Sequence, residues 1–581
     1  MKRTLPILLL LCLLATASAQ QQYPVDYFSH PLDLKVSMTG DFAEIRPNHY
    51  HSGLDLRTEG TTGHKVYAPA DGYVSRINIS AWGGGKVLYI THPNGYRTVY
   101  MHLDGFCGDI ARFVETYQYS HRTFAFDVDI PPDSLPVKRG QVVALTGNTG
   151  GSGGPHLHYE IRHAENDQPI NPLYFGIKYS DPIAPTIAGI KLYPADERTA
   201  INGANSELEI LAAKPKSKKS KGKGTQPTGI VTVAGRFYTG IYTYDRMEQG
   251  SNNKNGVEKI ELYVDGELFH RYHVPTFLFE DTRAINAIID YPQYQRNRQY
   301  YIVTRRLRGD PGHASSPFRD NGYIEFTDSA SHTLEYRVSD YKGNTTSHKF
   351  SVQSQPDKLL PGRDSAQRSI EASGEPIVYY LSHTLTREGF QAVLPPHTVY
   401  DNDKLIYSKG SDAANLSPLH RLSLKRHQLP PHNTVTVRMP VPAKVPSALH
   451  NKLTIVCING KSISACTTKR DGSTLTATTR SFGGFAVRLD TVPPTVKAVN
   501  FSDNRTFTGK QLTVKIADDL SGVERYECFI NGAWVLAEHD GKTATLTAKA
   551  ATLTKGNNEV VFRITDAVGN VTEQKWTVIK P

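Results

Sequence analysis

"GGSGGPHLHYEIR" occupies Gly150–Arg162, and two folds compete for it. Gly150-Gly151-Ser152-Gly153-Gly154 spells Gly-x-Ser-x-Gly, the nucleophile elbow of serine hydrolases. That elbow needs a strand before the serine and a helix after it. His156-Leu157-His158 spells half of a metal site instead. The residues after Pro155 decide between them. They alternate and include Tyr159 and Ile161, which is the pattern of a strand. Glycine also makes up most of the elbow pentapeptide, so that match carries little weight. The stretch therefore reads as a glycine loop ending on a strand, with His156, His158 and Glu160 on one face and no serine nucleophile at Ser152.

Upstream, "GHKVYAPADGYVSRINIS" has turn residues at Asp71-Gly72. "GGKVLYITHPNGYRTVYMHL" has a hairpin signal at Asn94-Gly95. No long segment there keeps helical periodicity. From Gln20 to Tyr179 the sequence predicts a β-dominated domain.

A chain with 22 histidines contains about one His-x-His by chance, and His49-Tyr50-His51 is a second example. What raises the significance of the later pair is "HSGLD", His51 to Asp55. On a strand His51 and Asp55 share a face, with Gly53 leaving room between them. Two adjacent strands would gather His51, Asp55 and one of the later histidines around one ion. Two imidazoles, a carboxylate and an open position make a catalytic zinc site. The chain has no His-Glu-x-x-His, so the usual glutamate base is missing, and a histidine is the natural substitute. His49, His64, His92, His121 and His163 fit no such pattern and read as surface or packing residues.

The order "HSGLD", "VYMHL", "GNTGGSGGPHLHYE" resembles the lysostaphin-type, LytM-like zinc endopeptidases that cut peptidoglycan peptides. The resemblance covers roughly Met38 to Arg162 and includes "APADGYV" and "VKRGQVVALTGNTG" in order. It implies one zinc ion per chain, with His51, Asp55 and His158 as ligands and His102 and His156 as catalytic residues. It implies peptidoglycan peptide cross-links as substrate. Glu160 reads first as a plain solvent-facing strand residue, with a partner that orients a histidine as the alternative, and the glycine loop is expected to let a peptide backbone approach the metal. One departure is Asp104 to Pro136, an insertion where the family has a short connection. A rival expectation is a catalytically silent envelope regulator that uses the groove only for binding.

Beyond that domain, "GVEKIELYVDG" from Gly256 and "GVERYECFING" from Gly522 resemble each other. Each leads to a closing turn, at Asp340–Thr346 and Asp566–Thr572, with the shared pattern Asp-x-x-Gly-Asn-x-Thr. Gly and Asn there accept the positive φ of tight hairpins. The first copy holds about 40 extra residues, near "DYPQYQRNRQYYIVTRRLRGDPG". Both copies are expected to be immunoglobulin-like sandwiches built of strands alone, with the extra residues as an excursion. The fold class is therefore all-β, with these boundaries: a signal peptide at 1–19, a LytM-like domain at 20–179, a sandwich with insertion and Lys-rich loop at 180–355, a further β-sandwich at 370–490 and a last sandwich at 491–581. The sandwiches are expected to bind an envelope protein or a cell-wall ligand.

Lys2 and Arg3, an apolar run from Leu5 to Leu14 and Ala17-Ser18-Ala19 read as a signal peptide. The expectation is therefore export to the periplasm or cell envelope, with no transmembrane segment. Of the four cysteines beyond it, Cys457 and Cys466 bracket a hairpin and form the expected disulfide pair. The formal charge of +10 is largely local: six lysines lie between Lys214 and Lys223. That tract has no aromatic residue and reads as a solvated loop, which leaves no case for nucleic acid.

Overall fold

The computed structural model describes residues 23–211, 230–248, 252–311, 314–362 and 373–581. The signal-peptide reading and the lysine tract fall outside them.

The first unit is built on a twisted antiparallel sheet. Its strands are β1 (Met38–Gly40), β2 (Leu54–Arg57), β3 (Gly72–Ile79), β4 (Lys86–Thr91), β5 (Tyr96–Met101), β6 (Phe126–Asp129) and β7 (His156–His163). The spatial order is β1-β2-β7-β5-β4-β3-β6. The strand expected after Pro155 is β7, flanked by β2 on one side and β5 on the other. Its alternation sends Leu157, Tyr159 and Ile161 into the main core. His156, His158 and Glu160 go to the other face. His158 and Glu160 are nevertheless buried, so their polar atoms require partners. At the β4–β5 turn Gly95 takes a φ of +82°, and the Asn94 side chain accepts from the Tyr96 amide.

The insertion holds a helix that no long helical period in the sequence announces. This helix, α1 (Gly108–His121), has 14 residues. Its buried positions are Ile110, Val114 and Gln118, one per turn. The third is polar and donates to the Phe124 carbonyl (2.8 Å), so the apolar stripe is too short to register as a period. Ile110 and Val114 join the core of this first unit. On its outer side Tyr119 meets Trp534 of the last sandwich edge-on, with ring centroids 5.4 Å apart.

Two sandwiches share one topology. The first contains β8 (Thr186–Pro194), β9 (Val231–Ala234), β10 (Phe237–Tyr244), β11 (Lys259–Val264), β12 (Glu267–His273), β13 (Ser331–Ser339) and β14 (Thr345–Ser354). β8 pairs with β10, and the facing sheet contains the run β9-β14-β13-β11-β12. The last contains β15 (Thr495–Ala498), β16 (Arg505–Thr506), β17 (Gln511–Ala517), β18 (Val523–Ile530), β19 (Ala533–Val535), β20 (Gly556–Asp566) and β21 (Val571–Lys580). Here β15 pairs with β17, opposite β16-β21-β20-β18-β19. Even the unusual parallel pair recurs, β9 with β14 and β16 with β21. The expectation of strands alone is corrected in the first copy. Its excursion holds a 3₁₀ turn at Phe279–Ala284, a helical turn at Ile285–Ile288 and a helix at Tyr291–Asn297. Asp290 caps that last helix by accepting from the Gln293 amide, with Pro292 in the first turn.

Between these two, a six-stranded and a five-stranded sheet enclose a core that includes Phe390, Ile455 and Phe485. The expected disulfide is absent: Cys107, Cys457, Cys466 and Cys528 are all free thiols. In the hairpin Cys457 stands opposite Ser464, not Cys466, which lies two residues further on.

The last sandwich folds back onto the first unit. Tyr526 and Leu536 pack against the core of that unit. Lys86 Nζ pairs with Glu538 (2.8 Å), and the Gly541 amide donates to the Ala81 carbonyl (3.3 Å).

Candidate metal centre

The face of β7 that carries His156, His158 and Glu160 meets residues from three other segments. His158 stands directly across from Asp55 on β2 and from Met101 on β5. His102 follows β5 with a left-handed φ of +63°. His51 lies in the turn before β2, not on the strand. The expectation that His51 and Asp55 converge by strand alternation is therefore corrected. His51 is instead held by backbone pairing with the preceding segment: its amide donates to the Glu44 carbonyl (3.0 Å), and its carbonyl accepts from the Ala43 amide (2.8 Å). Gly53 does make room, but for β7. A Cβ there would meet the Tyr159 carbonyl at 2.4 Å and Glu160 Cγ at 2.8 Å.

Three donor atoms converge. His51 Nε2 lies 3.0 Å from Asp55 Oδ1 and 2.9 Å from His158 Nδ1, and His158 Nδ1 lies 3.0 Å from Asp55 Oδ1. These residues can hold a metal ion. Their remaining polar atoms are committed elsewhere. His51 Nδ1 donates to the Asp41 carbonyl (2.6 Å), which leaves the lone pair on Nε2. His158 Nε2 donates to Glu160 Oε1 (2.8 Å), which turns Nδ1 inward. Arg46 Nη2 takes Asp55 Oδ2 (2.6 Å), so Oδ1 faces the two imidazoles. Glu160, fully buried and not the solvent-facing residue its strand position suggested, is held in turn by Ser52 Oγ (2.6 Å) and Arg162 Nε (2.5 Å). Each inward-facing donor thus has an outer partner that fixes its orientation, as metal ligands require.

The electrostatics fit a cation. Burial pushes the Asp55 carboxyl up, but His51, His156 and His158 outweigh it and hold the group well below the usual carboxylate range. Burial likewise raises Glu160, yet Arg162 and His158 bring it down to about 2. Burial lowers His51 to about 4, so it is neutral and able to ligate. Burial disfavours a charged His158 too. Hydrogen bonds to Asp55 and Glu160 overcome that and raise it to about 9. Without a metal, a proton on His158 therefore adds a positive charge between two buried carboxylates that Arg46 and Arg162 pair from their outer sides.

His102 and His156 stand beside the triangle. Their ring centroids are 4.8 Å apart, and that of His102 is 6.0 Å from His158. His102 Nδ1 donates to the Thr149 carbonyl (2.8 Å), and His156 Nδ1 to the Gly154 carbonyl (2.8 Å). Both therefore keep a lone pair on Nε2, and His156 Nε2 lies 3.3 Å from Asp55 Oδ1. Burial, joined by the charges of His158 and His156, pushes His102 down to about 3.

Ser152 Oγ comes within 3.2 Å of His156 Nδ1, which with Asp55 imitates a Ser-His-Asp triad. The chemistry does not follow, because that nitrogen already carries a proton toward Gly154. Ser152 donates to the same carbonyl (2.7 Å), and no helix follows the serine. The glycine loop also does less for an incoming peptide than expected. A Cβ on Gly150 would strike Gly85 N at 2.3 Å, so that glycine serves loop-on-loop packing, whereas Gly153 and Gly154 face open space. His92 is a packing residue, satisfied by the Asp71 carbonyl and Thr98. Sequence reasoning missed Arg46 and the Asp41 carbonyl. Neither carries a motif, because each acts through the shape of the segment before His51.

Residues 49–172 match the model of Peptidase family M23, and residues 376–490 match a Zu5-like domain. An uncharacterized metalloprotease of Haemophilus influenzae is 36% identical over 129 residues, which is 22% of this chain and 21% of that one. The peptidoglycan DD-endopeptidase ShyB of Vibrio cholerae is 34% identical over 161 residues, 28% of this chain and 29% of that one. The catalytic domain of lysostaphin from Staphylococcus simulans is 23% identical over 24% of this chain and 91% of that one, with a TM-score of 0.19. The chain covers only about a fifth of the length of the curated relatives it matches first. Residues 49–172 thus form a domain that matches the LytM-type Peptidase family M23, and β-sandwich domains follow it.

Proposed function

We propose that this protein is an exported zinc endopeptidase that hydrolyses peptide cross-links of bacterial peptidoglycan. What carries the reading is the donor triangle of His51, Asp55 and His158, with every other polar atom of those side chains engaged by an outer partner. A zinc ion held there supplies Lewis acidity toward a scissile carbonyl and toward water. The chain's own residues do the rest. His102 and His156 present Nε2 lone pairs that take up the proton of an attacking water. Once protonated, either can donate to the developing oxyanion or to the leaving amine. The carbonyls of Thr149 and Gly154 hold the two rings in the orientation this requires. The sandwiches serve as binding or spacing modules toward wall material or an envelope protein. Curated relatives named as peptidoglycan DD-endopeptidases support wall peptide as the substrate.

The test is digestion of purified wall sacculi by the full-length protein, with and without chelator, followed by mass spectrometry of the released ends. The expected result is zinc-dependent release of peptides with new termini. Zinc binding without any cleavage would instead identify a silent, groove-binding protein.

A further inference from the structure

Two further clusters of acidic side chains lie outside the metallopeptidase site, one in each of the two matching sandwiches. In the first, Asp181, Asp245 and Asp340 bring one oxygen each within 4.8 Å of the others; in the last, Asp490, Asp518 and Asp566 do the same. The positions are equivalent. Asp181 and Asp490 each stand five residues before the threonine that opens the sandwich, Thr186 and Thr495. Asp245 and Asp518 immediately follow β10 and β17, and Asp340 and Asp566 begin the shared Gly-Asn turn.

The scaffolding is duplicated too. Asp340 Oδ1 accepts from the amides of Lys342 and Asn344, and Asp566 Oδ1 from those of Val568 and Asn570. The turn asparagine then ties the cluster together. Asn344 Nδ2 donates to Asp340 Oδ2 and to the Asp181 carbonyl, and Asn570 Nδ2 to Asp566 Oδ2 and the Asp490 carbonyl. Two sequences that differ at most other positions have kept one acidic constellation.

Acidic residues in company prove nothing by themselves. The decisive observation is buried oxygen without a partner. Asp245 is 2% exposed and Asp181 8%, yet no N–H or hydroxyl donor reaches Asp245 Oδ1 or Asp181 Oδ2, and the two carboxyls lie within hydrogen-bonding range of each other. Asn255 pairs with Asp245 through both backbone hydrogen bonds, so the two side chains share a face. Asn255 is 3% exposed, and its Oδ1 is also unpartnered. In the last sandwich Asp518 Oδ1 and Ser521 Oγ are likewise buried atoms without a partner, on side chains that are themselves half-buried. Among the described residues none of the six carboxylates forms an ion pair. Lys342, whose charge reaches Asp181, sits over the Tyr179 ring (4.1 Å). Burial, and then the neighbouring carboxylates, raise Asp181, Asp245 and Asp518 above the usual range. Buried carboxylates this close need a cation or a shared proton.

We infer that each of these two sandwiches binds one calcium ion, through Asp181, Asp245 and Asp340 in the first and Asp490, Asp518 and Asp566 in the last. Carboxylate, amide and hydroxyl oxygens form a hard donor set with no nitrogen or sulfur, which suits calcium and not a transition metal. Asp181 lies in the segment joining the peptidase to the first sandwich. Asp490 directly follows the strand Gly483–Leu489 of the preceding sandwich. Each ion therefore fixes the connection through which its sandwich is attached.

The test uses full-length protein freed of metal on chelating resin, with calcium chloride as titrant in calorimetry and as additive in thermal melting. Two calcium ions per chain are expected, with a rise in melting temperature. Asp245→Asn and Asp518→Asn are each expected to bind one ion, and the double variant none. Asparagine keeps the side-chain shape and removes repulsion, so these variants fold. His158→Ala is expected to keep both calcium ions, which separates these sites from the metallopeptidase centre. A wild-type protein that shows no calcium heat and no melting shift overturns the inference, and so does a double variant that still binds two ions. Asparagine variants that melt higher than a calcium-insensitive wild type would show that the carboxylates share a proton instead.

Discussion

His158 stands directly across the β2–β7 ladder from Asp55, and its Nδ1 lies 3.0 Å from Asp55 Oδ1. Its other nitrogen reaches Glu160, two residues along the same strand, at 2.8 Å. One imidazole thus links a carboxylate of the donor triangle to a carboxylate behind it, and that linkage sets how the site responds to pH and to mutation.

The pH response follows from the sign of the His158 shift. Its value in the metal-free fold, about 9, lies above the ordinary 6.5. The charged pairs therefore stabilise the metal-free protein fully below about pH 6.5. That contribution fades as pH rises through 9. Zinc requires neutral His158, so binding releases about one proton per ion near pH 7, and apparent affinity rises roughly tenfold per pH unit up to about 9. His51, already neutral because burial holds it near 4, adds nothing in that window. Calorimetry in buffers of different ionisation enthalpy measures the proton count, and zero release would refute the assignment.

Glu160 holds His158 by the nitrogen that faces away from the donor triangle. Glu160→Gln can keep one hydrogen bond but loses the charge that raises the imidazole's basicity. Zinc affinity is expected to fall about 10- to 100-fold, with cleavage at saturating zinc largely kept. Competition titration against a chromogenic chelator measures this, and unchanged affinity would make Glu160 a bystander. A folding defect is a separate matter: Arg162 would lose its partner, so circular dichroism must accompany the titration.

How far the sequence reveals this site depends on what kind of order each part uses. The alternation of Leu157, Tyr159 and Ile161 with His156, His158 and Glu160 is periodic, so β7 and its polar face were legible. His51 reaches the site from a turn, and Arg46 from the segment before it. Neither position follows a period, and only the fold brings them to Asp55. The α1 helix was hidden because its stripe is short and ends on Gln118. The repeat of the two sandwiches was legible in their turns, whereas the helices of the first excursion were not. Their helical character shows in a cap at Asp290 and a proline at 292, signals that a search for strands passes over.

Ser152 provides a control within the same loop. Its hydroxyl donates to the Gly154 carbonyl and approaches a nitrogen that already carries a proton. Ser152→Ala is expected to cost the loop about 1 kcal/mol and to leave wall cleavage within a few-fold of wild type. Serine-directed covalent inhibitors are expected to leave the protein unlabelled. Labelling at Ser152, with loss of activity, would replace the metal reading by a serine one.

The His-x-His pair itself gives the sharpest test, because its members share a strand face but contact different partners. His158 sits inside the donor triangle, within 3.0 Å of both other members. His158→Ala leaves only His51 and Asp55, too few donors for a tight site, and is expected to abolish both zinc content and cleavage. His156 is oriented by the Gly154 carbonyl and faces Asp55 from outside the triangle, at 3.3 Å. His156→Ala is expected to keep near-stoichiometric zinc and to lose roughly two to four orders of magnitude in rate, the span of a general acid–base group. Metal analysis of both purified variants, with folding checked by circular dichroism, distinguishes them. Equal zinc loss in the two would make the pair a joint chelator. Full activity with retained zinc in His156→Ala would remove that histidine from the chemistry and leave the proton transfer to His102.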